Sequence, residues 1–424
     1  MLPPKVFAIA DPDAFKARAL HWANSFDTAC YFDSNNYSDP YSVFDCLIAA
    51  GAKTKITLNA GNAFAELEQF ISQSSHFIPG YFAYDLKNET EDLRSVNEDH
   101  LGFPDLTFFI PKSTILVKEY EVQIFSPDAE TIWETINNLV IPSPSLSPRA
   151  EIKARFSKHE YIETVNEIKS NIQRGDIYEI NFCQEFYAEN TPINPLEVFI
   201  KLNKISPTPF SSFFKSEYRF IISATPERFL SRRGDKLISQ PIKGTYARST
   251  DKIQDEGLKA GLRNDEKERT ENVMIVDLVR NDLTKSAKPG TVKVEELFGV
   301  YSFTQVHQLI STVICERDEK LSNAEIIANT FPMGSMTGAP KISAMLLAEQ
   351  YERSKRGVYS GAVGYFAPNG DFDFNVVIRT LLYNDSNKYL SFHTGGAITI
   401  DSDPEKEFEE CTLKAAAITE VLGQ

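Results

Sequence analysis

The sequence is poor in the residues and runs that mark several large classes of protein. Its five cysteines include no Cys-x-x-Cys pair, so we expect reduced thiols and neither a zinc site nor a disulfide scaffold. No apolar run reaches membrane-spanning length and the N-terminus lacks a signal peptide's apolar segment, which predicts a cytoplasmic protein without a membrane partner. The formal net charge of −15 argues against nucleic acid and gives no long-range attraction to an anionic substrate.

The chain is long enough for more than one lobe. At 424 residues, two or three lobes are expected. Residues 142–148 read Pro-Ser-Pro-Ser-Leu-Ser-Pro, the clearest linker in the chain, and divide it into an N-terminal α+β lobe (1–145) and a second region (151–424). Within the second region we predict strands at 358–366, 372–383 and 389–400, joined by hairpin turns that indicate an antiparallel sheet.

Two helices carry acidic side chains in a regular pattern. Asp265 is a candidate N-cap for the first helix, in which residues 273–279 are apolar nearly all round and predict burial. Glu268 and Glu271 lie on one face of its N-terminal turns, where carboxylates either complement the helix dipole or require a cation. The last helix begins near residues 403–404 and places Glu407, Glu410 and Lys414 on one face, the pattern of a solvated surface or of a second half of a site.

Three further features have both a structural and a functional interpretation. Arg379 lies inside an apolar strand and therefore needs an acidic partner from the protein or from a ligand. The glycine-rich loop 334–341 leads into a helix and either binds an anion or forms a tight turn. His307 stands among apolar neighbours, where a histidine is more often a hydrogen-bonded core residue than a catalyst.

Together these motifs resemble the chorismate-utilising enzymes. The resemblance is dense from residue 151 to residue 424 and weak before it. Each block alone is weak evidence for the family, whereas the blocks in this order are specific to it. The blocks that carry it are Gly175-Asp176-Ile177-Tyr178, Thr225-Pro226-Glu227-Arg228-Phe229, Pro241-Ile242-Lys243-Gly244-Thr245, residues 265–282, residues 334–341, the Arg356–Tyr365 segment, Val377-Ile378-Arg379-Thr380, and the segment from Gly395-Gly396 to Lys414.

The resemblance implies a fold and a set of site residues. The fold is α+β, with two antiparallel β-sheets packed face to face and helices outside, and the site lies between the sheets. In the site, Mg²⁺ bridges to the ring carboxylate of chorismate, a role that suits carboxylate ligands with retained waters. By resemblance, Mg²⁺ is coordinated by Glu271 and Glu410, with Glu268 and Glu407 one turn earlier in the same shell, and Glu227 is the general acid. The enolpyruvyl carboxylate is contacted by Arg379, Tyr359, Gly395 and Gly396. His307 lies near the substrate ring, and Lys414 and Thr337 lie near the carboxylates.

Lys243 indicates the subtype within this family. Its position resembles the covalent nucleophile of the aminodeoxychorismate synthases, which attacks ring C2 before ammonia adds at C4; anthranilate synthases typically carry Ala there. Such a role requires a neutral amine, so we expect burial or nearby cations to lower the pKa of Lys243. Alone, a lysine at a strand end is most often solvated.

Ammonia is the expected nucleophile at C4. Water-using relatives place a lysine near residue 179, and residues 177–184 contain none. The resemblance therefore implies amination of chorismate to 4-amino-4-deoxychorismate, on the route to para-aminobenzoate and folate, with ammonia from a separate glutaminase subunit. Anthranilate synthase is the first alternative, and a non-catalytic chorismate-binding relative is an alternative of another class. Tyr246-Ala247, Ser360 and Ala397 depart from the family pattern without removing an assigned charge.

Overall fold

The computed structural model describes residues 3–143 and 150–423, so residues 144–148 of the predicted linker lie outside the described part of the chain. The strands are β1 (Lys5–Ala8), β2 (Thr28–Asp33), β3 (Cys46–Leu58), β4 (Ile78–Phe82), β5 (Leu106–Lys118), β6 (Glu121–Phe125), β7 (Lys153–Ala154), β8 (Glu179–Ala188), β9 (Phe210–Ser216), β10 (Arg219–Thr225), β11 (Arg228–Arg233), β12 (Lys236–Gln240), β13 (Ile242–Ala247), β14 (Lys293–Ser302), β15 (Val306–Glu316), β16 (Gly338–Ala339), β17 (Ala362–Phe366), β18 (Phe372–Val376), β19 (Thr380–Asn384) and β20 (Tyr389–Ile398).

The α-helices are α1 (Pro12–Asn24), α2 (Ala63–Ser72), α3 (Lys87–Thr90), α4 (Ala129–Asn138), α5 (Lys158–Arg174), α6 (Pro195–Ile205), α7 (Lys252–Asn264), α8 (Glu266–Thr284), α9 (Asn323–Thr330), α10 (Lys341–Tyr351) and α11 (Pro404–Val421). Short 3₁₀ turns lie at Tyr84–Leu86 and Gly334–Met336. Among the described residues, no helix is both long enough and apolar enough to cross a bilayer.

The strands form two antiparallel halves. One half runs β14-β15-β12-β11-β18-β17-β4, with β13 also beside β15. The other runs β2-β9-β10-β19-β20-β8. The long strands β3 and β5 pair with each other and belong to both halves, since β5 also pairs with β4 and β3 with β2.

The two halves face each other across the largest apolar core. Rings from opposite halves meet there: Tyr81 of β4 lies 5.5 Å from Phe214 of β9, and Phe32 of β2 lies 6.5 Å from Tyr365 of β17, measured between centroids. Helices α1, α4, α6 and α11 cover the outer face of the second half around Ile222 and Phe392. The predicted α+β architecture with antiparallel layers face to face is therefore confirmed, and β3 and β5 join those layers by hydrogen bonds.

The carboxylate-bearing helices lie over different halves. Helix α8 packs on β13 and β15, and α11 packs on β20. Asp265 is the N-cap of α8, its Oδ1 accepting from the Glu268 amide at 3.0 Å, as predicted. The prediction that residues 273–279 are buried all round is wrong, because α8 is a surface helix: Ile275 and Val276 face the core whereas Val273 is 44% exposed.

The strand predicted over residues 372–383 is two strands. β18 pairs with β17 and β11 in one half, whereas β19 pairs with β10 and β20 in the other. The chain crosses between the halves at residues 377–379, and Arg379 adopts a left-handed backbone there (φ 51°). A non-glycine residue in that region is uncommon and often occurs at a functional site.

Candidate functional site

The carboxylates of α8 and α11 meet in one electrostatic cluster. Repulsion from Glu410, on the other helix, contributes to raising the pKa of both Glu268 and Glu271. Burial, and then repulsion from Glu271, raises the pKa of Glu268 to about 7. Burial likewise raises the pKa of Glu271 and Glu407. The structure thus brings together the four acidic residues predicted to share an ion.

Two glycines border this cluster. A Cβ added to Gly244 on β13 would lie 3.0 Å from Glu268 Oε2, and one added to Gly396 on β20 would lie 3.0 Å from Glu407 Oε2 and 3.9 Å from Glu410 Oε1. Larger residues at either position would have to displace a carboxylate. The glycines therefore let the two strand backbones approach the acidic groups closely.

Two lysines lie among the same carboxylates. Lys414 Nζ is 2.7 Å from Glu410 Oε1 and donates to the Gly395 carbonyl at 2.8 Å. Partial burial raises the pKa of Glu410, but its charge interaction and hydrogen bond with Lys414, together with the charges of Lys267 and Lys243, outweigh that effect, so the pKa is lowered. Lys267 Nζ is 3.7 Å from Glu271 Oε1 and also feels Glu407, although the sequence interpretation did not include it.

The chemistry of the cluster fits Mg²⁺. In residues 3–143 and 150–423, no group of three or more His, Cys, Asp and Glu side chains is already gathered as a metal site. Mg²⁺ does not require one, because it is commonly held by one or two carboxylates, waters and substrate oxygens. The raised pKa values of Glu268, Glu271 and Glu407 reflect burial and crowded negative charge, which a divalent cation would neutralise.

Lys243 is directed into this region from β13. Its side chain is only 13% exposed, and its Nζ lies 3.4 Å from Oε1 of Glu179 on β8. Burial lowers the pKa of Lys243, but Glu179, Glu271 and Glu227 raise it, and the net direction is upward. The predicted lowering of this pKa is therefore wrong for the protein without ligand, because three carboxylates surround the amine.

Glu227 is buried beside Lys243. Glu227 immediately precedes β11 in the chain and is 5% exposed. Burial raises the pKa of Glu227 to about 7, and interactions with Ser335 and Lys243 offset only part of that effect. A carboxyl group with such a pKa can hold a proton near neutral pH and donate it.

Arg379 and Tyr359 lie at the crossing between the two halves. Arg379 forms no ion pair within 4.0 Å among the described residues. Burial lowers the pKa of Arg379, and the charges of Tyr359 and Glu410 offset only part of that effect. Tyr359 is buried, stacks on His393 with centroids 4.9 Å apart, and places its Oη 3.5 Å from Cys183 Sγ. The unpaired guanidinium is suited to a carboxylate ligand.

The glycines of β20 differ in what they contact. A Cβ on Gly395 would lie 2.0 Å from the Phe182 carbonyl, so this glycine is required by the close pairing of β20 with β8. That packing explains Gly395 without a ligand, whereas Gly396 opens toward the carboxylates of α11.

Two predicted residues are engaged elsewhere within the described chain. The Thr337 hydroxyl donates to the Gly334 carbonyl at 3.1 Å, within its own loop. His307 on β15 uses both ring nitrogens, Nδ1 at 2.8 Å from Ser302 Oγ and Nε2 at 3.0 Å from Asp255 Oδ1. These bonds match the core-histidine interpretation, and they leave the expected contact of His307 with the substrate ring a prediction.

Sequence reasoning missed Glu179 and Ser335 as well as Lys267. Glu179 and Asn181 alternate along β8, and Asn181 Nδ2 donates to the Ser335 carbonyl at 2.9 Å. Polar residues at alternating positions of a buried strand were the available signal, although the sequence could not indicate what lies opposite them.

Comparison with known proteins gives the family. The model that describes chorismate binding enzymes matches residues 27–420, and the chain therefore belongs to this family. The match begins at residue 27, so it includes most of residues 1–145, where the resemblance in the sequence was weak.

Named relatives include two activities. Aminodeoxychorismate synthase component 1 of Escherichia coli is 30% identical over 420 residues, which cover 92% of each chain. The probable chloroplastic aminodeoxychorismate synthase of rice, Oryza sativa subsp. japonica, is 35% identical over 81% of this chain, which spans only 43% of the rice protein. Proteins named anthranilate synthase component 1 match at 31–33% identity. The crystal structure of anthranilate synthase component I from Streptococcus pneumoniae superposes with a TM-score of 0.78 at 26% identity, over 90% of this chain and 93% of that one.

Proposed function

We propose that this protein aminates chorismate at ring C4 with ammonia to give 4-amino-4-deoxychorismate. The observation that carries the proposal is the placement of a buried lysine amine, Lys243, beside Glu227 and facing the acidic cluster of α8 and α11. Relatives named aminodeoxychorismate synthase support this activity. Identity alone does not separate it from anthranilate synthase, and the lysine is what favours amination at C4.

In the proposed reaction, Lys243 is the nucleophile at ring C2 and Glu227 is the acid for the hydroxyl that leaves C4. The Lys243 nitrogen forms a bond to ring C2, the two conjugated ring double bonds each shift by one position, and the C4–O bond breaks. Glu227 gives its proton to the departing hydroxyl, which leaves as water. Ammonia then forms a bond to C4 and returns one proton to Glu227. The ring double bonds shift back and the C2–nitrogen bond breaks, which releases Lys243 as an amine.

The remaining side chains hold the dianionic substrate. Arg379, unpaired within the described residues, receives the enolpyruvyl carboxylate, with Tyr359 beside it. Glu271 and Glu410 would hold Mg²⁺, with Glu268 and Glu407 in the surrounding shell, and the ion would supply positive charge at the ring carboxylate. Lys267 and Lys414 neutralise the remaining acidic groups.

Ammonia requires a source. Relatives named component 1 imply a second component, and we propose a separate glutaminase subunit that delivers glutamine-derived ammonia, in the cytoplasm, for para-aminobenzoate and folate synthesis. Free ammonium salts should replace the subunit in vitro.

Product identification tests the proposal. The enzyme is incubated with chorismate, MgCl₂ and ammonium chloride, and products are resolved by liquid chromatography with mass detection and fluorescence. We expect aminodeoxychorismate, and Lys243→Ala should lower its rate about 1,000-fold or more. Fluorescent anthranilate as the main product would instead establish anthranilate synthase, and calorimetric binding of chorismate without turnover would establish a non-catalytic relative.

A further inference from the structure

Strand β8 presents a row of polar groups to the interior of the site. Glu179, Asn181 and Cys183 alternate along one face, where Asn181 contacts the Ser335 loop and Cys183 lies near Tyr359. The opposite face carries Ile180 and Phe182, which pack into a separate apolar cluster with α5 and α10. Glu179 therefore belongs to the site wall, on the same side as the residues that contact Tyr359 and Ser335.

Glu179 is the carboxylate that contacts the lysine amine. Among the described residues, it alone places a carboxylate oxygen within 4.0 Å of Lys243 Nζ, at 3.4 Å. Glu227 and Glu271 act on the amine only through their longer-range charge. The residue is 1% exposed, so water cannot readily take its place as a partner of the lysine.

The second oxygen of Glu179 is buried and has no hydrogen-bond partner among the described residues. An unpaired, buried carboxylate oxygen costs free energy, so a structural ion pair alone does not account for it. Because this carboxylate lies beside the Lys243 amine, its unpaired oxygen is available to accept a proton from Nζ. The backbone of Glu179 is fixed by pairing with β16, where Gly338 leaves no room for a Cβ against the Glu179 carbonyl.

We propose that Glu179 is the proton acceptor that converts the Lys243 ammonium group into the attacking amine. This inference rests on the proposed function and deepens it. One proton moves from Nζ to the Glu179 carboxylate, the free electron pair on Nζ forms the bond to C2, and the C4 hydroxyl leaves with the proton of Glu227. When ammonia has added at C4 and Lys243 leaves as a neutral amine, Glu179 returns the proton.

Glu179→Gln separates this role from a simple ion pair. The amide fills the same space but cannot accept the proton. Removing the carboxylate also removes a charge that holds the lysine protonated, so Lys243 should react faster with acetic anhydride at neutral pH, measured by peptide mass spectrometry. Turnover with chorismate and ammonium should nevertheless fall about 100-fold or more. Glu179→Asp, which keeps a carboxylate, should recover part of the lost rate.

Glu185→Gln is the matched control. Glu185 lies on the same strand, is also buried, and pairs with Arg155 at 2.7 Å rather than with Lys243. Its turnover and Lys243 labelling should stay within about threefold of the parent. Faster labelling of Glu179→Gln together with an unchanged or higher turnover would overturn the proposal, because the carboxylate would then only restrain the amine. A parent protein that forms no aminodeoxychorismate would refute the proposed function itself.

Discussion

Glu227 lies near enough to Lys243 for the ammonium charge to lower the pKa of the carboxyl group, yet burial still raises that pKa to about 7. The acid is thus partly protonated at neutral pH and becomes ionised as the pH rises. As a proton donor to the C4 hydroxyl, Glu227 should make the ammonium-dependent rate decline above a pH of about 7.

Glu227→Gln tests this assignment. We expect kcat to fall about 100-fold or more, and the residual activity should lose the decline near neutral pH. The measurement is the rate at saturating chorismate between pH 6 and pH 9, with the free ammonia concentration held constant. A profile that keeps the same alkaline limb in the variant would assign that limb to another group.

Mg²⁺ binding should depend on one carboxylate from each helix. Glu271→Gln and Glu410→Gln should each weaken Mg²⁺ binding about tenfold or more in calorimetry, and excess EDTA should abolish turnover by the parent protein. Glu409→Gln is the control, since Glu409 is exposed on the same helix as Glu410. Equal Mg²⁺ affinity in all three variants would remove the ion from this cluster.

Repulsion among the crowded acidic groups should lower the thermal stability of the metal-free protein at high pH. Glu268 has a folded pKa of about 7, raised from its ordinary 4.5, so the folded state binds its proton more tightly than the unfolded state. Its contribution is favourable below about pH 4.5 and is lost as the pH rises through about 7. Glu268→Gln should therefore melt at a higher temperature than the parent at pH 8 in EDTA, and the difference should shrink at pH 5. A lower melting temperature of the variant at pH 8 would contradict the repulsion.

Arg379 should act on substrate affinity. Arg379→Lys keeps a charge but loses the planar fork that binds a carboxylate through two hydrogen bonds. We expect the KM for chorismate to rise about 10- to 100-fold, with a smaller change in kcat. Arg353→Lys is the control, because Arg353 is a partly exposed residue that pairs with Glu160. An unchanged KM in Arg379→Lys would place the enolpyruvyl carboxylate elsewhere.

Local signals in the sequence predicted the elements whose ends are set locally. Helix α5 ends at Gly175, which is left-handed (φ 86°), the residue type that local preference places after a helix. Asp403 and Pro404 begin α11 as their cap and N1 preferences predict. The strand over residues 372–383 could not be divided from sequence, because the break at Arg379 arises where the chain crosses between the two halves.

The site was predictable in its charges more than in its pairings. The charges on the two helix faces are visible in the sequence, but only the resemblance predicted that Glu268, Glu271, Glu407 and Glu410 share one site, and their role in holding an ion stays a prediction. The resemblance did not predict that Glu179 contacts Lys243, because β8 and β13 are separated by some sixty residues of chain and belong to opposite halves. The direction of the Lys243 pKa depends on that contact and was consequently mistaken.

The most direct test of the account is to look for the bond on Lys243. The enzyme is mixed with chorismate and MgCl₂ without ammonia and quenched in acid. The protein is then digested with a protease, and the peptides are mapped by mass spectrometry. The account predicts a peptide in which Lys243 carries the mass of chorismate less one water. This adduct should form about 100-fold more slowly in Glu227→Gln and should disappear when ammonium is added before the quench. Steady formation of aminodeoxychorismate with Lys243 unmodified at every quench time, and undiminished in Lys243→Ala, would contradict it.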